Sequence, residues 1–362
     1  MKYAALFSIL LVVISCKKED PEPEPRPEAT YFPQNWTGGW EEVDPQELGW
    51  NTGAISDLYN FLDSSNTRGF VVLHNGEIAL EHYNGNQLNG QPFDRGSNWY
   101  WASAGKSLAG FAAAVAEEHG LLDYEQPVAN YLGSGWTSAS SQQENNILVR
   151  HLLTMTSGLD DGVANSDCTD PSCLEYLADP GTRWAYHNAP YTLSHDVISN
   201  AIGASFEGFV QDSIMGKIGV AGTWFWLGDN HVYFSSARSM ARFGLLNLSE
   251  GTWNGEEILS AANHSTLVTS SQSLNESYGY LYWLNGKSSF RLPGSQLQFN
   301  GSLTPSAPAD MYAAIGLNSQ LMMVVPSLKL VVVRLGEDPS GSEVPVDYPE
   351  ALWVELNAVL NR

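Results

Sequence analysis

An α+β fold is predicted for this chain: one antiparallel sheet assembled from its two ends, flanked by helices, with a mainly helical region inserted between. Three observations carry this. A strand-like run doubles back on itself at residues 70–83, strand-like runs return only after residue 278, and helix-like segments dominate the residues between. Strands contributed by both ends of a chain share one core most simply as one sheet, with the helical middle as an excursion from it.

In chain order, Phe70 to Tyr83 reads as a β-hairpin turning at Asn75-Gly76, a pair that readily takes the left-handed backbone of a two-residue turn. Ala104 to Glu118 is rich in alanine and leucine and reads as a helix that stops near Gly120. Further helical segments are expected at 147–153, 193–202 and 236–248. Residues 106–265 therefore form a helical part, and 41–105 with 266–362 an α/β part, of one domain spanning 41–362. Strands are expected at 278–284, 312–316, 321–325 and 328–335, where β-branched and aromatic runs are broken by Gly, Asn, Pro and Ser. Asp347 to Leu360 reads as a closing amphipathic helix.

The chain is 43% apolar and 16% charged over 362 residues, enough for a sizeable core. Residues 1–15 read as an export signal, with Lys2 ahead of an apolar run from Ala4 to Ile14 that is too short to span a membrane. The run ends Val13-Ile14-Ser15-Cys16, which resembles a bacterial lipobox and implies a mature chain lipidated at Cys16 and anchored in the cell envelope. A plain secretory signal with an incidental cysteine is the rival reading. Residues 16–40 hold a Pro/Glu-rich tether that cannot bury enough apolar surface to fold.

A net charge of −23, from 17 basic and 40 acidic residues, argues against a nucleic-acid partner. Beyond Cys16 the cysteines are Cys168 and Cys173, in a polar, Asp-rich loop. In an oxidising compartment they are expected to form a local disulfide, contributing about 2 kcal/mol by loop closure. Two free thiols are the alternative. No further cysteine or histidine stands close enough in sequence to complete a zinc set, and neither metal nor cofactor is expected.

Ser103-Ala-Gly-Lys106 opens the apolar helix, and a three-residue spacing puts hydroxyl and amine on one face. Lys106 is one of only four lysines beyond the tether. An ammonium in such a helix is costly unless paired or neutral, and desolvation turns a lysine into a usable base. A serine cap with a lysine reaching past it to solvent fits the same four residues. Tyr186-His-Asn188 is the one Tyr-x-Asn in the chain. A phenol beside a cationic amine can ionise, take the serine proton and return it to a leaving group. The Asn188 amide could hold a substrate carbonyl or orient the lysine. A buried tyrosine with a turn asparagine is the alternative.

These pieces occur in order with Leu152-Leu-Thr-Met-Thr-Ser-Gly158, Pro180-Gly-Thr-Arg-Trp-Ala-Tyr186 and Met240-Ala-Arg-Phe-Gly-Leu-Leu246. Together they resemble the serine β-lactamase-related superfamily over residues 50–360, most closely its class C-like esterases and aminohexanoate-oligomer hydrolases. The resemblance implies a β-lactamase/transpeptidase-like fold, Ser103 as nucleophile, and Lys106 and Tyr186 as proton carriers. It also implies a third motif on a core strand. The best match is Ala314-Ile315-Gly316, where Gly316 allows close approach and the Leu317 N–H joins that of Ser103 as an oxyanion hole. The family's basic residue in this motif is missing, which puts β-lactam hydrolysis in doubt.

The expected activity is hydrolysis of a small or short oligomeric carboxylic ester or amide through a covalent acyl-enzyme. A β-lactamase or D-Ala-D-Ala carboxypeptidase is one alternative, and a non-catalytic envelope lipoprotein another. Gly105-Lys106-Ser107 lacks the first glycine of a phosphate-binding loop, and no Gly-x-Ser-x-Gly elbow or His-Glu-x-x-His run occurs. His187 is a rival base for Ser103. Tyr100 and Trp184 are candidate pocket walls, and the sequence leaves the oligomeric state open.

Overall fold

The computed structural model describes residues 29–34, 39–339 and 346–362. The expected signal and lipid-bearing Cys16 lie outside the described residues, as does most of the tether.

The chain enters its core with α1 (Ile55–Ser64) and the hairpin of β1 (Thr67–His74) and β2 (Glu77–Tyr83). Asn75 and Gly76 both have positive φ, as a two-residue turn of this kind requires. A short β3 (Trp99–Tyr100) leads into the long α2 (Gly105–Glu118). After the helical region come β6 (Trp283–Leu284), β7 (Tyr312–Gly316), β8 (Gln320–Val325) and β9 (Leu330–Gly336). The main sheet has the order β2-β1-β9-β8-β7-β6, and all its pairings are antiparallel. First and late strands therefore meet at its centre, with Thr67 opposite Gly336.

Helices cover both faces. In β8, Met322 lies against Gly244 of α6 (Ala237–Leu248), while the adjacent Met323 meets Trp353 of α8 (Asp347–Leu360). Neighbouring strand residues point to opposite faces, so the two helices sandwich the sheet. This is why β8 and β9 are continuous apolar runs rather than alternating ones. Besides Gln320 at the start of β8, the exception is Arg334, fully buried in β9, whose guanidinium donates to the carbonyls of Ser65, Asn318, Ser319 and Glu337. It thereby ties the turn after β7 to the end of the sheet.

The region between is less helical than its sequence suggested. It contains α3 (Val149–Leu153), α4 (Asn188–Ile202), α5 (Phe206–Val210), α6 and α7 (Ala261–Leu267), but also a hairpin of β4 (Gly222–Leu227) and β5 (Asn230–Ser235). This hairpin joins β3 in a second, three-stranded sheet. Two aromatic runs turning at Gly228-Asp229 were the signal. The strand expected over 278–284 shrinks to its last two residues. Ser107 Oγ donates to the Leu281 carbonyl at 2.7 Å and the Tyr280 N–H to Leu267, so this stretch is bound to α2 and α7 instead of a neighbouring strand.

Candidate active site

Ser103 lies on a tight turn, Ala102–Ala104, between β3 and α2. Ala102 has φ +47°, a left-handed conformation costly for a residue with a Cβ, so the surrounding packing holds the turn in place. The small side chains of α2 let the helix run buried from Gly105 to Ala116. At Gly110 a Cβ would come within 2.7 Å of the Tyr280 carbonyl oxygen. Lys106, in the first turn, is carried inside by this helix and is only 4% exposed.

The Lys106 ammonium nitrogen donates to Ser103 Oγ at 3.1 Å. It also sits 4.1 Å from the centre of the Tyr191 ring and 5.3 Å from that of Tyr186. Burial lowers the lysine's pKa from 10.5 to about 7, against the opposing pull of the Asp167 carboxylate. Tyr186 stands just ahead of α4, its ring stacked on Trp283 at 5.9 Å and its hydroxyl close enough to Ser103 to be influenced by it. Burial pushes this phenol well above its ordinary range. The resting tyrosine is thus protonated, contrary to the ionised phenol that proximity to an amine suggested. Of the two groups beside Ser103, the amine is the one that can accept a proton near neutrality.

Asn188 opens α4. Its Nδ2 donates to Asp167 at 2.8 Å, and the other Asp167 oxygen accepts from Asn230 Nδ2 at 2.8 Å. Asn188 Oδ1 is buried with no partner among the described residues. The amide donor is thus turned to the carboxylate, and the oxygen is what remains for another donor. Asp167 is immediately followed by the loop that a Cys168–Cys173 disulfide closes.

On the opposite wall, Gly316 ends β7 against the serine turn. A Cβ there would lie 2.4 Å from the Trp101 carbonyl oxygen, 2.9 Å from the Ala104 nitrogen and 3.1 Å from the Ser103 nitrogen. Glycine is what lets this strand reach the nucleophile. Leu317 follows, with its side chain 72% exposed at the rim.

A cleft of about 850 Å³ joins these groups; Ser103, Lys106, Tyr186, Asn188, Gly316 and Leu317 all line it. Tyr100 is also in the wall, its hydroxyl accepting from Asn318 Nδ2 at 2.9 Å. Trp184 is buried behind it, edge-on to Tyr278 and Trp283. His187, the rival base, is buried and absent from the cleft wall. Sequence reasoning missed Asp167, Tyr191 and Trp283. Tyr191, one helical turn on from Asn188, was within reach of helix spacing; Asp167 and Trp283 arrive through tertiary folding.

Lys106 is the one lysine or arginine among the described lining residues, whereas Asp167 and Asp338 both face the cleft. Arg183 pairs instead with Asp161, and Arg291 donates to the carbonyls of Leu274 and Gln296. Among the described residues no group of three His, Cys, Asp or Glu could hold a metal ion, and no helix is long and apolar enough to cross a membrane.

The beta-lactamase family model matches residues 61–352. An uncharacterized protein of Alkalihalophilus pseudofirmus is 26% identical over 313 residues, covering 77% of this chain and 86% of that protein. A solved Bacillus anthracis structure, assigned as a 6-aminohexanoate-dimer hydrolase, superposes with a TM-score of 0.65 at 18% identity, over 92% of this chain and 88% of its own. EstCE1, a hydrolase with promiscuous acyltransferase activity, superposes with a TM-score of 0.62 at 14% identity, over 86% and 99%. At such identities the likeness shows a shared fold.

Proposed function

The chain belongs to the beta-lactamase family and is a serine hydrolase, and on that footing we propose that it cleaves neutral or apolar carboxylic esters or amides through an acyl-enzyme on Ser103. Its architecture is the β-lactamase/transpeptidase-like one implied by the order of its motifs. The observation that carries the proposal is the grouping of one hydroxyl, one depressed lysine and one protonated phenol at a single wall of the cleft.

In the proposed reaction the neutral Lys106 amine takes the Ser103 proton as Oγ bonds to the substrate carbonyl carbon. The carbonyl oxygen becomes an oxyanion, stabilised by the backbone N–H groups of Ser103 and Leu317. As the intermediate collapses, Tyr186 donates its proton to the departing alcohol or amine and recovers one from the Lys106 ammonium. Water then attacks the acyl-enzyme with the same groups in reverse, releasing the acid and restoring Ser103. Preference for uncharged substrates is supported by the two carboxylates and single depressed cation of the cleft wall. A substrate carboxylate entering it would lose hydration without a strong cationic partner.

Ser103→Ala should abolish hydrolysis of p-nitrophenyl butyrate and labelling by a fluorophosphonate probe while leaving the melting temperature within a few degrees. Turnover by the folded variant at the native rate would end the nucleophile assignment. The proposal extends to place: we assign the protein to the cell envelope, held by lipid on Cys16. Incorporation of a palmitate probe, lost on Cys16→Ser, is the expected result; unlabelled protein would leave a plain secretory signal as the reading.

A further inference from the structure

A second line of polar groups leads from the cleft, whose wall includes Tyr191 and His231, to Glu207 at the surface. Tyr191 and His195 lie one turn apart on α4, with Tyr191 Oη 3.1 Å from His195 Nε2. His195 Nδ1 is 3.2 Å from Nδ1 of His231 on β5. His231 Nε2 is 3.5 Å from a carboxylate oxygen of Glu207 on α5. The tyrosine and both histidines are buried, whereas the Glu207 side chain is 47% exposed. Near its inner end, the Tyr191 ring lies under the Lys106 nitrogen at 4.1 Å.

The direction of this line is biased electrostatically from its outer end, where the Glu207 carboxylate stands at ion-pair distance from His231 Nε2. A carboxylate attracts an N–H, so it favours the neutral His231 tautomer with its hydrogen on Nε2 and Nδ1 as acceptor. His195 must then donate from Nδ1, which leaves its Nε2 to accept from the Tyr191 hydroxyl. A phenol that donates is polarised toward a more electron-rich ring, and each bond in such a row strengthens the next. That ring faces the atom that becomes an ammonium when Ser103 loses its proton, and a desolvated cation over an aromatic face is stabilised.

We propose that Glu207, His231, His195 and Tyr191 form a positioning relay that sets how readily Lys106 takes up the serine proton. None of the four needs to touch the reacting carbonyl, and no net proton moves along the row. The relay rests on the reading of Lys106 as the base. Lys106 is otherwise faced by Asp167 from the loop before the disulfide and by Tyr186, while Tyr278 stands beside both tyrosines. At the outer end, Asp196 as well as Glu207 acts on His231. Burial keeps both histidines below their ordinary range, which favours the neutral, directed form.

The test is the acid limb of kcat/KM for p-nitrophenyl butyrate, where protonated Lys106 is inactive. Glu207→Gln can donate as well as accept, so it releases the row's direction; Tyr191→Phe keeps the ring but removes the donor. Both keep the ring beside Lys106, so each should lower the limb's midpoint by only part of the worth of a cation–ring contact, about 0.2–0.3 pH unit. Because Glu207 acts through the Tyr191 hydroxyl, the double variant should move no further than Tyr191→Phe alone. Asp196→Asn, a nearby carboxylate outside the row, should move the limb by less than half as much. An unmoved limb in Glu207→Gln, a full second shift in the double variant, or an equal shift in Asp196→Asn would each overturn the relay. Lys106→Ala tests the base assignment by itself: residual activity that keeps the same limb overturns that assignment and the relay with it, whereas a limb lost in Lys106→Ala but unmoved in Glu207→Gln overturns the relay alone.

Discussion

Lys106 shows at the scale of one residue what the site costs the fold. Its pKa in the folded protein is about 7, against 10.5 for a free side chain. Between these values the unfolded chain binds more protons, so the native state gains stability as pH rises from 7 towards 10.5. Below pH 7 both states hold the proton and the burial penalty is present in full. Lys106→Met should therefore abolish activity yet raise the melting temperature at pH 6, by an amount reflecting a few kcal/mol at most. The gain should shrink at pH 9, and calorimetry at the two values checks it; an equal gain at both would mean the lysine is not strained by its charge. The placing of Ser103 beside Lys106 was legible because a three-residue spacing at a helix entry sets side chains together without knowledge of the rest, whereas Tyr186 was joined to them through the family resemblance. Their protonation was not legible. It depends on how completely α2 and α4 exclude water, and on Asp167, which lies far from Lys106 along the chain.

At the scale of elements, β7 and the serine turn are held in contact by the absence of one methyl group. Gly316→Ala would press a carbon against the Trp101 carbonyl and the Ser103 and Ala104 nitrogens, which are backbone atoms and cannot rotate away. The strand should withdraw and take the Leu317 N–H with it. We expect kcat for p-nitrophenyl butyrate to fall at least about 10²-fold, the scale of a lost oxyanion donor, with a smaller change in KM. A drop confined to KM would remove Leu317 from the oxyanion role. Strong local signals made most of the sheet readable: an Asn-Gly turn at 75–76, and apolar runs at 312–316 and 321–325 bounded by breakers. The stretch at 278–284 misled because its aromatic residues fit a strand equally well, and only bonds to α2 and Leu267 decide against one. The β4–β5 hairpin was passed over although Gly228-Asp229 between aromatic runs has the form of a turn.

Across the whole molecule, charge and cleft point the same way. A net charge of −23 gives an unfavourable long-range potential for anions, and Asp167 and Asp338 continue it inside. Hydrolysis of p-nitrophenyl butyrate should therefore exceed that of benzylpenicillin and nitrocefin in kcat/KM by ten- to a hundredfold or more, roughly the worth of one missing charge-assisted hydrogen bond. Side-by-side kinetics on one preparation decide it; a β-lactam that wins would reassign the substrate class. The strand order carries a further consequence, for the birth of the protein. β1 finds β2 at once, but its other edge waits for β9, which is made only after the whole intervening helical region. Until residues 330–336 emerge, a nascent chain presents an apolar hairpin with one open edge, the kind of surface that invites mispairing. Completion, rather than gradual growth, is what makes this sheet, and a chain cut short after β8 would be a client for chaperones or proteases, not a weaker hydrolase.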